Sequence, residues 1–592
     1  MKRFLRNFKL TFTFAIIVSV GILAQQKFYV NLNDRSNDTF KVTVFPKNLT
    51  DDNNIFQFAS TAPGTYQIMD IGRFVKSFNA FDEDGDQIDV EKISTNQWEI
   101  DDPEDVYKIT YTISETWDTP VKTNKVYPMT GTSIEDDHVL INGQAVFGYF
   151  KGKQSDPIYV KLEYPEEWIV GTALKLNKNG FYVADTYDHI VDSPILLGKL
   201  TKAETKVADT DINVYTYSKT GLIKSDELLS IIQDILEAEN KFIKGLPVKH
   251  YVFLFHFEDI SAGAWEHSYS SEYVFREQPL TKNFTNSIRS VVAHEFFHIV
   301  IPLNIHSELV EKFNFVKPVM SQHLWLYEGI TEWASDIMQL RAELFTLEDY
   351  LKEISQKLKI NDFYKQDISL TELGKRATEL PQQYANIYMK GSVIGTLMDI
   401  RLLELSNGKK GLRELIIELA NKYGKHKAFS ENNFFNELVA MTYPEMDDFI
   451  TKYIKNTEPL PVKEYFDKLG INYYESKGVD SSKISLGIRF GVKGQKLFVA
   501  KSTKAAETGI LAGDIIEEIE GTPVTLKNAR SVIGKLHKLK AGDSINITVS
   551  RGDKKIKIKP VLTAQEVKHS FEVNPNASEK QLKFREVWMK NL

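Results

Sequence analysis

His294-Glu295-Phe296-Phe297-His298 has the residue types and spacing that zinc hydrolysis needs. On a helix, residues four apart share a face, so His294 and His298 can direct two imidazoles at one cation. Glu295 lies about 100° round from His294, close enough to hold a water on the metal without ligating it. Zinc suits two nitrogens and one carboxylate with an open fourth position, and it acidifies bound water enough for attack on a carbonyl near neutrality. The alternative is a surface helix with two chance histidines. Against it, Ile288, Val291, Val292, Phe296 and Ile299 form an apolar face, and the whole chain holds only 12 His. A polar triplet on a buried face calls for a metal.

The third ligand must come from elsewhere. In Leu324-Trp325-Leu326-Tyr327-Glu328-Gly329-Ile330-Thr331-Glu332-Trp333, Glu328 is a carboxylate in the first turns of an apolar helix, beside a glycine that permits close approach. His306, Glu308, Glu311 and His323 are rivals, in a polar connection interrupted by Pro318. Glu332, one turn past Glu328, reads as a group that orients a histidine or as a plain helix-face acid.

Such a constellation needs a scaffold, and 592 residues are enough for three or four domains. Apolar content of 42% and charged content of 26% are those of a folded protein. A net charge of -7 with no concentrated basic surface excludes nucleic acid as the expected partner. Lys2, Arg3, Arg6 and Lys9 followed by uncharged Leu10 to Ala24 give the layout of a signal peptide over 1–24, which predicts export to the periplasm or exterior. Its loss takes the net charge from -7 to about -11. No later stretch reaches the uncharged length of a spanning helix. The absence of Cys rules out disulfides, cysteine-bound metal and an acylated lipoprotein anchor.

From about Gln26 to Tyr217 short segments alternate apolar and polar residues, as in Phe40–Phe45, Tyr107–Ile113 and Tyr159–Tyr164, which predicts antiparallel sheet. Helical spacing begins near Ser225, a plausible N-cap, and ends at Gly245 and Pro247. A buried strand over Tyr251–Phe257 follows, then helices over Asn286–Val300 and Trp325–Leu340 and a helix-rich stretch to Tyr453. Beyond Pro459-Leu460-Pro461, short strands, one helix and turn glycines run from Ile471 to Leu562. Phe584 and Trp588 are docking points in the charged tail.

His-Glu-Phe-Phe-His followed at this distance by Leu324–Trp333 resembles the glycyl aminopeptidase (M61) family, a gluzincin branch related to the larger thermolysin-like aminopeptidases. The likeness spans most of residues 30 to 565 and implies a multidomain α+β chain. Its parts are an N-terminal β-sandwich-like domain (26–217), a thermolysin-like zincin catalytic domain (218–345), a helical subdomain (346–458), a PDZ domain (470–565) and a tail (566–592). It implies Glu328 as third ligand and one Zn²⁺ per chain. Gly263-Ala264-Trp265-Glu266-His267-Ser268 is similar to the edge strand that pairs with substrate backbone in related enzymes, where the Glu grips the free α-ammonium. Taken alone, Glu266 reads as an ordinary loop acid. Tyr388-Met389-Lys390-Gly391 looks like the family's Tyr-x-Lys-Gly, whose tyrosine donates to the oxyanion; Tyr384 is a rival donor. Ala505–Ile516 with Ile519-Glu520-Gly521 resembles the bacterial PDZ pattern, with Ser485-Leu486-Gly487-Ile488 as the carboxylate-binding loop for a peptide C-terminus. Where many family members follow the second His with Trp-Asn and a basic stretch, this chain has Ile299-Val300-Ile301-Pro302-Leu303-Asn304, a departure that bears on substrate preference.

The expected function is an exported zinc aminopeptidase acting at free N-termini with small residues such as Gly or Ala. The alternatives are a zinc endopeptidase with PDZ-guided capture and a non-catalytic peptide-binding protein.

Overall fold

Alternating apolar residues from Gln26 onward produce sheet, and the computed structural model describes it within residues 25–260, 263–493, 496–536 and 538–592. The expected signal segment, 1–24, lies outside the described residues. Among the described residues two compact units are present: one holds 25–60 and Met69–Lys199, the other Thr61–Ile68 and the chain from Leu200.

The first unit is β-rich. Its eight-stranded sheet includes Gln26–Asn31, Thr39–Phe45, Lys108–Ser114 and Ile158–Glu163, and two four-stranded sheets accompany it. Pairing is not purely antiparallel as alternation suggested: Gln26–Asn31 runs parallel to Ile158–Glu163, with Gln26 opposite Ile158. Strands so far apart in sequence are free of the hairpin constraint that enforces antiparallel neighbours.

The second unit opens with strands β1 (Thr201–Val207) and β2 (Thr210–Ser218). Alternation to Tyr217 suggested that these belong with the N-terminal β-domain. They instead join β3 (His250–Glu258), β4 (Gly263–Glu266) and β5 (Ser270–Arg276) in one sheet of order β1-β2-β3-β5-β4. Period-two patterning shows that a segment is a strand and not which sheet it enters. Between β2 and β3 runs helix α1 (Ser225–Phe242), the crossover that a parallel pair requires. Ser225 is its first helical residue and not its cap; the Ser225 hydroxyl bonds Thr201 O and Thr216 Oγ1, and the helix start is sealed by Glu227 accepting from Lys224 N.

Aromatic residues at alternate positions of β3, from Tyr251 to Phe257, stack with Tyr273 of β5 and receive Phe296 of helix α2 (Lys282–Phe297). This buried layer seats the last turn of α2 against the sheet. A π-helical turn at Trp325–Ile330, where a plain α-helix was expected, leads into α3 (Thr331–Arg341), followed by α4 (Leu347–Asn361) and α5 (Asn386–Leu405). α5 is buried on nearly every face, as the core helix of this half must be.

Residues 471–573 form an excursion. Ile471–Ser485 pairs antiparallel with Thr563–Val573 as a two-stranded ribbon. Between them lies a six-stranded sheet with helix Ala529–Leu536 and a core of its own, centred on Val499, Ile510, Ile547 and Val549. The chain then returns as α6 (Glu579–Met589), which buries Trp588 against Tyr350. Among the described residues no helix is long and apolar enough to cross a membrane.

Candidate active site

α2 delivers His294 and Glu295 from its last turn, with His298 just past its end. Their rings lie 4.8 Å apart and nearly perpendicular for the two histidines, so both can face one point. Glu328 comes from the π-helical turn, a feature that often marks functional sites because it rotates a side chain off the regular helical face. Glu328 Oε2 lies 3.5 Å from His294 Nε2 and 3.8 Å from His298 Nε2. His306, Glu308, Glu311 and His323 stand outside this cluster; His306 donates to Pro302 O, and His323 donates to Glu431 O.

The donor set fits zinc. Tetrahedral bonds of about 2.0–2.1 Å put neighbouring ligand atoms about 3.3–3.5 Å apart, close to the separations found. Both imidazoles have their other nitrogen engaged: His294 Nδ1 donates to Glu332 Oε2 at 2.8 Å and His298 Nδ1 to Ile301 O at 2.6 Å. That fixes the tautomer with Nε2 free to ligate. The charges also ask for a cation. Burial, reinforced by Glu328 and Glu295, pushes the Glu266 carboxyl well above the usual range. Burial likewise raises Glu295 to about 7, partly offset by His294.

Glu332 plays the orienting part, and behind it stands a residue the sequence did not single out. Lys357 of α4 is buried and bonds Glu332 Oε1 at 2.9 Å, Ser392 Oγ at 3.0 Å, and the Asp336 carboxylate. Burial opposes ionisation of Glu332, but Lys357 and His294 outweigh it and hold its carboxyl far below the ordinary value. Lys357 falls on the apolar stripe of Tyr350, Ile354 and Leu358, and a lysine on such a stripe must find buried partners.

Tyr388 and Tyr384 lie side by side. Their hydroxyls are 2.7 Å apart, and the Tyr388 ring lies 5.5 Å from that of His294. The crossing that brings α5 to the site is a glycine contact. A Cβ on Gly329 would lie 2.7 Å from Gly391 Cα, so the π-helical turn and α5 touch backbone to backbone.

Gly263, Ala264 and Glu266 lie on β4, the last strand of its sheet, with Glu266 opposite Ser271. Carboxylate oxygens of Glu266 and Glu295 and a ring nitrogen of His298 lie within 4.8 Å of one another. A second group the sequence reading missed is Tyr66, whose hydroxyl donates to Glu328 Oε1 at 2.9 Å. Its segment, Ala62-Pro63-Gly64-Thr65-Tyr66, carries only a turn signal.

In the excursion, Ser485–Ile488 precedes the edge strand Ile488–Lys493. Gly487 N donates to Ser485 Oγ, so that amide is already engaged. The domain is also tied to the rest of its unit: Arg489 of that edge strand lies over the Phe363 and Tyr364 rings, and Lys501 Nζ donates to Asp362 O.

Residues 27–199 match the Peptidase M61 N-terminal domain, 287–394 the M61 glycyl aminopeptidase domain and 485–560 a PDZ domain. A crystal structure of an aminopeptidase N family protein from Idiomarina loihiensis shares the fold at a TM-score of 0.77 and 21% identity, over 95% of this chain and 100% of that one. The M1 zinc metallopeptidase from Deinococcus radiodurans aligns at a TM-score of 0.44 and 11% identity, over 74% of this chain and 95% of that one. No curated protein matches the chain. Fold, site and domain matches define a zinc aminopeptidase of gluzincin type. Two stretches of the chain, 27–199 and 287–394, thus match the N-terminal and catalytic domains of the M61 glycyl aminopeptidase family, and a PDZ domain match follows them.

Proposed function

We infer that the protein removes the first residue from peptides with a free α-amine, preferring small residues such as Gly and Ala, with one zinc per chain held by His294, His298 and Glu328. When bound, zinc polarises the scissile carbonyl and acidifies the attacking water. Glu295, buried beside the ligands on the same helix, takes the proton from that water and returns it to the leaving amine. Tyr388 donates to the developing oxyanion, with its hydroxyl oriented by Tyr384. The free edge of β4, at Gly263 and Ala264, pairs with the peptide backbone, and Glu266 holds the α-ammonium. The basic and apolar start of the chain supports action in the periplasm or outside the cell. The PDZ domain supports capture of longer peptides by their C-termini.

The observation that carries the exopeptidase reading is the Glu266 carboxyl within 4.8 Å of Glu295 and His298, on an edge strand. A fixed carboxyl so close to the point of attack, held ionised when a cation sits beside it, leaves room for a chain terminus and closes the path to a continuing chain. A free α-amine is cationic below about pH 8. A charge-assisted hydrogen bond to it contributes about 1.5–3 kcal/mol, a preference of roughly 10–150-fold for free over acetylated substrates. Glu266→Ala should remove most of that preference by slowing the free-amine substrate, with zinc content unchanged. Equal cleavage of free and acetylated peptides by the wild type would make the enzyme an endopeptidase.

A further inference from the structure

The segment Thr61–Ile68 lies within the stretch matched to the N-terminal domain, yet it is part of the unit that holds the zinc ligands. It is tied down there. Thr61 N donates to Phe315 O at 3.3 Å, the Thr61 and Thr65 hydroxyls are 3.1 Å apart, and Thr65 Oγ1 donates to Ala62 O. Two of its residues touch different parts of the centre.

Tyr66 holds one oxygen of Glu328, while the other oxygen faces His294 and His298. A carboxylate restrained in this way offers a metal a single oxygen in a fixed direction. The tyrosine ring is seated 5.2 Å from that of Tyr384, and its backbone stands at φ 46°, a left-handed conformation that a bulky residue adopts only when its surroundings dictate it. Gly64 approaches the other carboxylate. With φ 79°, a Cβ there would lie 2.5 Å from Glu266 Oε1 and 2.9 Å from Trp265 Nε1, so its backbone lies directly on the Glu266 carboxylate.

We propose that Thr61–Ile68 is a wall of the catalytic centre, in which Tyr66 is a positioning residue for Glu328 and Gly64 fixes the place of Glu266. The consequence for specificity is steric. An α-ammonium held by Glu266 brings the first Cα of the substrate against the Gly64 backbone, where a large side chain has little room. The Gly64 half rests on the amine-anchor reading of Glu266; the Tyr66 half does not.

The test is a double dissociation. Tyr66→Phe keeps the ring and loses the donor. Its zinc dissociation constant, measured by competition with a chromophoric chelator, should rise about tenfold, with the free-to-acetylated substrate ratio unchanged. Gly64→Ala should leave zinc affinity within twofold of wild type and lower that ratio about tenfold. Zinc affinity within twofold of wild type in Tyr66→Phe would overturn the proposal, and so would both variants moving both readouts together, as expected of a loop that merely supports folding. If the wild type shows no preference for free amines, the amine-anchor reading fails and the chelator measurement alone decides the role of Tyr66. It also decides alone if Gly64→Ala does not fold.

Discussion

Lys357 sits at the end of a buried line that runs through Glu332 to His294 Nδ1. Replacing it with methionine leaves Glu332 and Asp336 as carboxylates without their cation. Loss of one partner of a buried pair costs about 3–5 kcal/mol. Lys357→Met should therefore lower the melting temperature and, through the loosened histidine, weaken zinc binding by about 10–100-fold. Adding Asp336→Asn should recover stability but not zinc affinity, because Glu332 still lacks its partner; recovery of both would show that the lysine acts on the fold alone. Glu295→Gln should cut turnover by about 10²–10⁴-fold with zinc retained, and zinc loss in that variant would make Glu295 a support for the site. Tyr388→Phe should lower kcat by about 10²-fold and Tyr384→Phe by clearly less, since only Tyr388 lies beside the His294 ring; the reverse order would assign the oxyanion to Tyr384. The zinc motif was legible because its chemistry is local: two histidines on one helix face and the carboxylate next to the first of them. Glu332 was half legible, as either an orienting group or a surface acid, because its partners come from two other helices. Tyr66 was not legible at all, because nothing in a Pro-Gly turn indicates a carboxylate some 260 residues away.

At the scale of elements, the glycine contact between the π-helical turn and α5 sets how far Glu328 and Tyr388 stand from each other. Gly391→Ala should force these segments apart, costing about 1–3 kcal/mol as an overpacked contact and lowering kcat more than it raises KM. A variant with wild-type kcat would mean that the crossing has slack. Element types were readable from the sequence, as in α1 and α2, whose apolar positions recur at about 3.6 residues, and in β3, a short apolar run. What periodicity could not convey was partnership. The strands up to Ser218 alternate like those before them, yet they join the sheet of β3, which lies beyond α1 and pairs with β2. The π-helical turn was equally hidden, since one extra residue per turn barely disturbs an apolar run that is buried all round.

At the scale of the whole chain, the PDZ domain is an insertion and not an appendage. Ser485 and Thr563 are paired at the top of the ribbon, so residues 486–562 can be excised and closed with a short glycine turn. That deletion should leave dipeptide hydrolysis within about twofold of the full chain, since no residue of the zinc cluster lies in it. A tenfold loss in a well-folded deletant would show that the Arg489 and Lys501 contacts to Asp362–Tyr364 matter to the centre. Cutting after Pro461 is a different matter, because it also removes α6. Trp588 packs on Tyr350 of α4 and accepts through its carbonyl from Arg341 Nε of α3, and its removal should cost about 3–5 kcal/mol. α6 thus backs the two helices that carry Glu332 and Lys357. At about 5–20 residues per second, roughly 10–50 s of synthesis separate Glu328 from Trp588. For that interval His294, His298 and Glu328 exist without α6 behind α3 and α4, so the helices that carry Glu332 and Lys357 settle only when the last residues arrive.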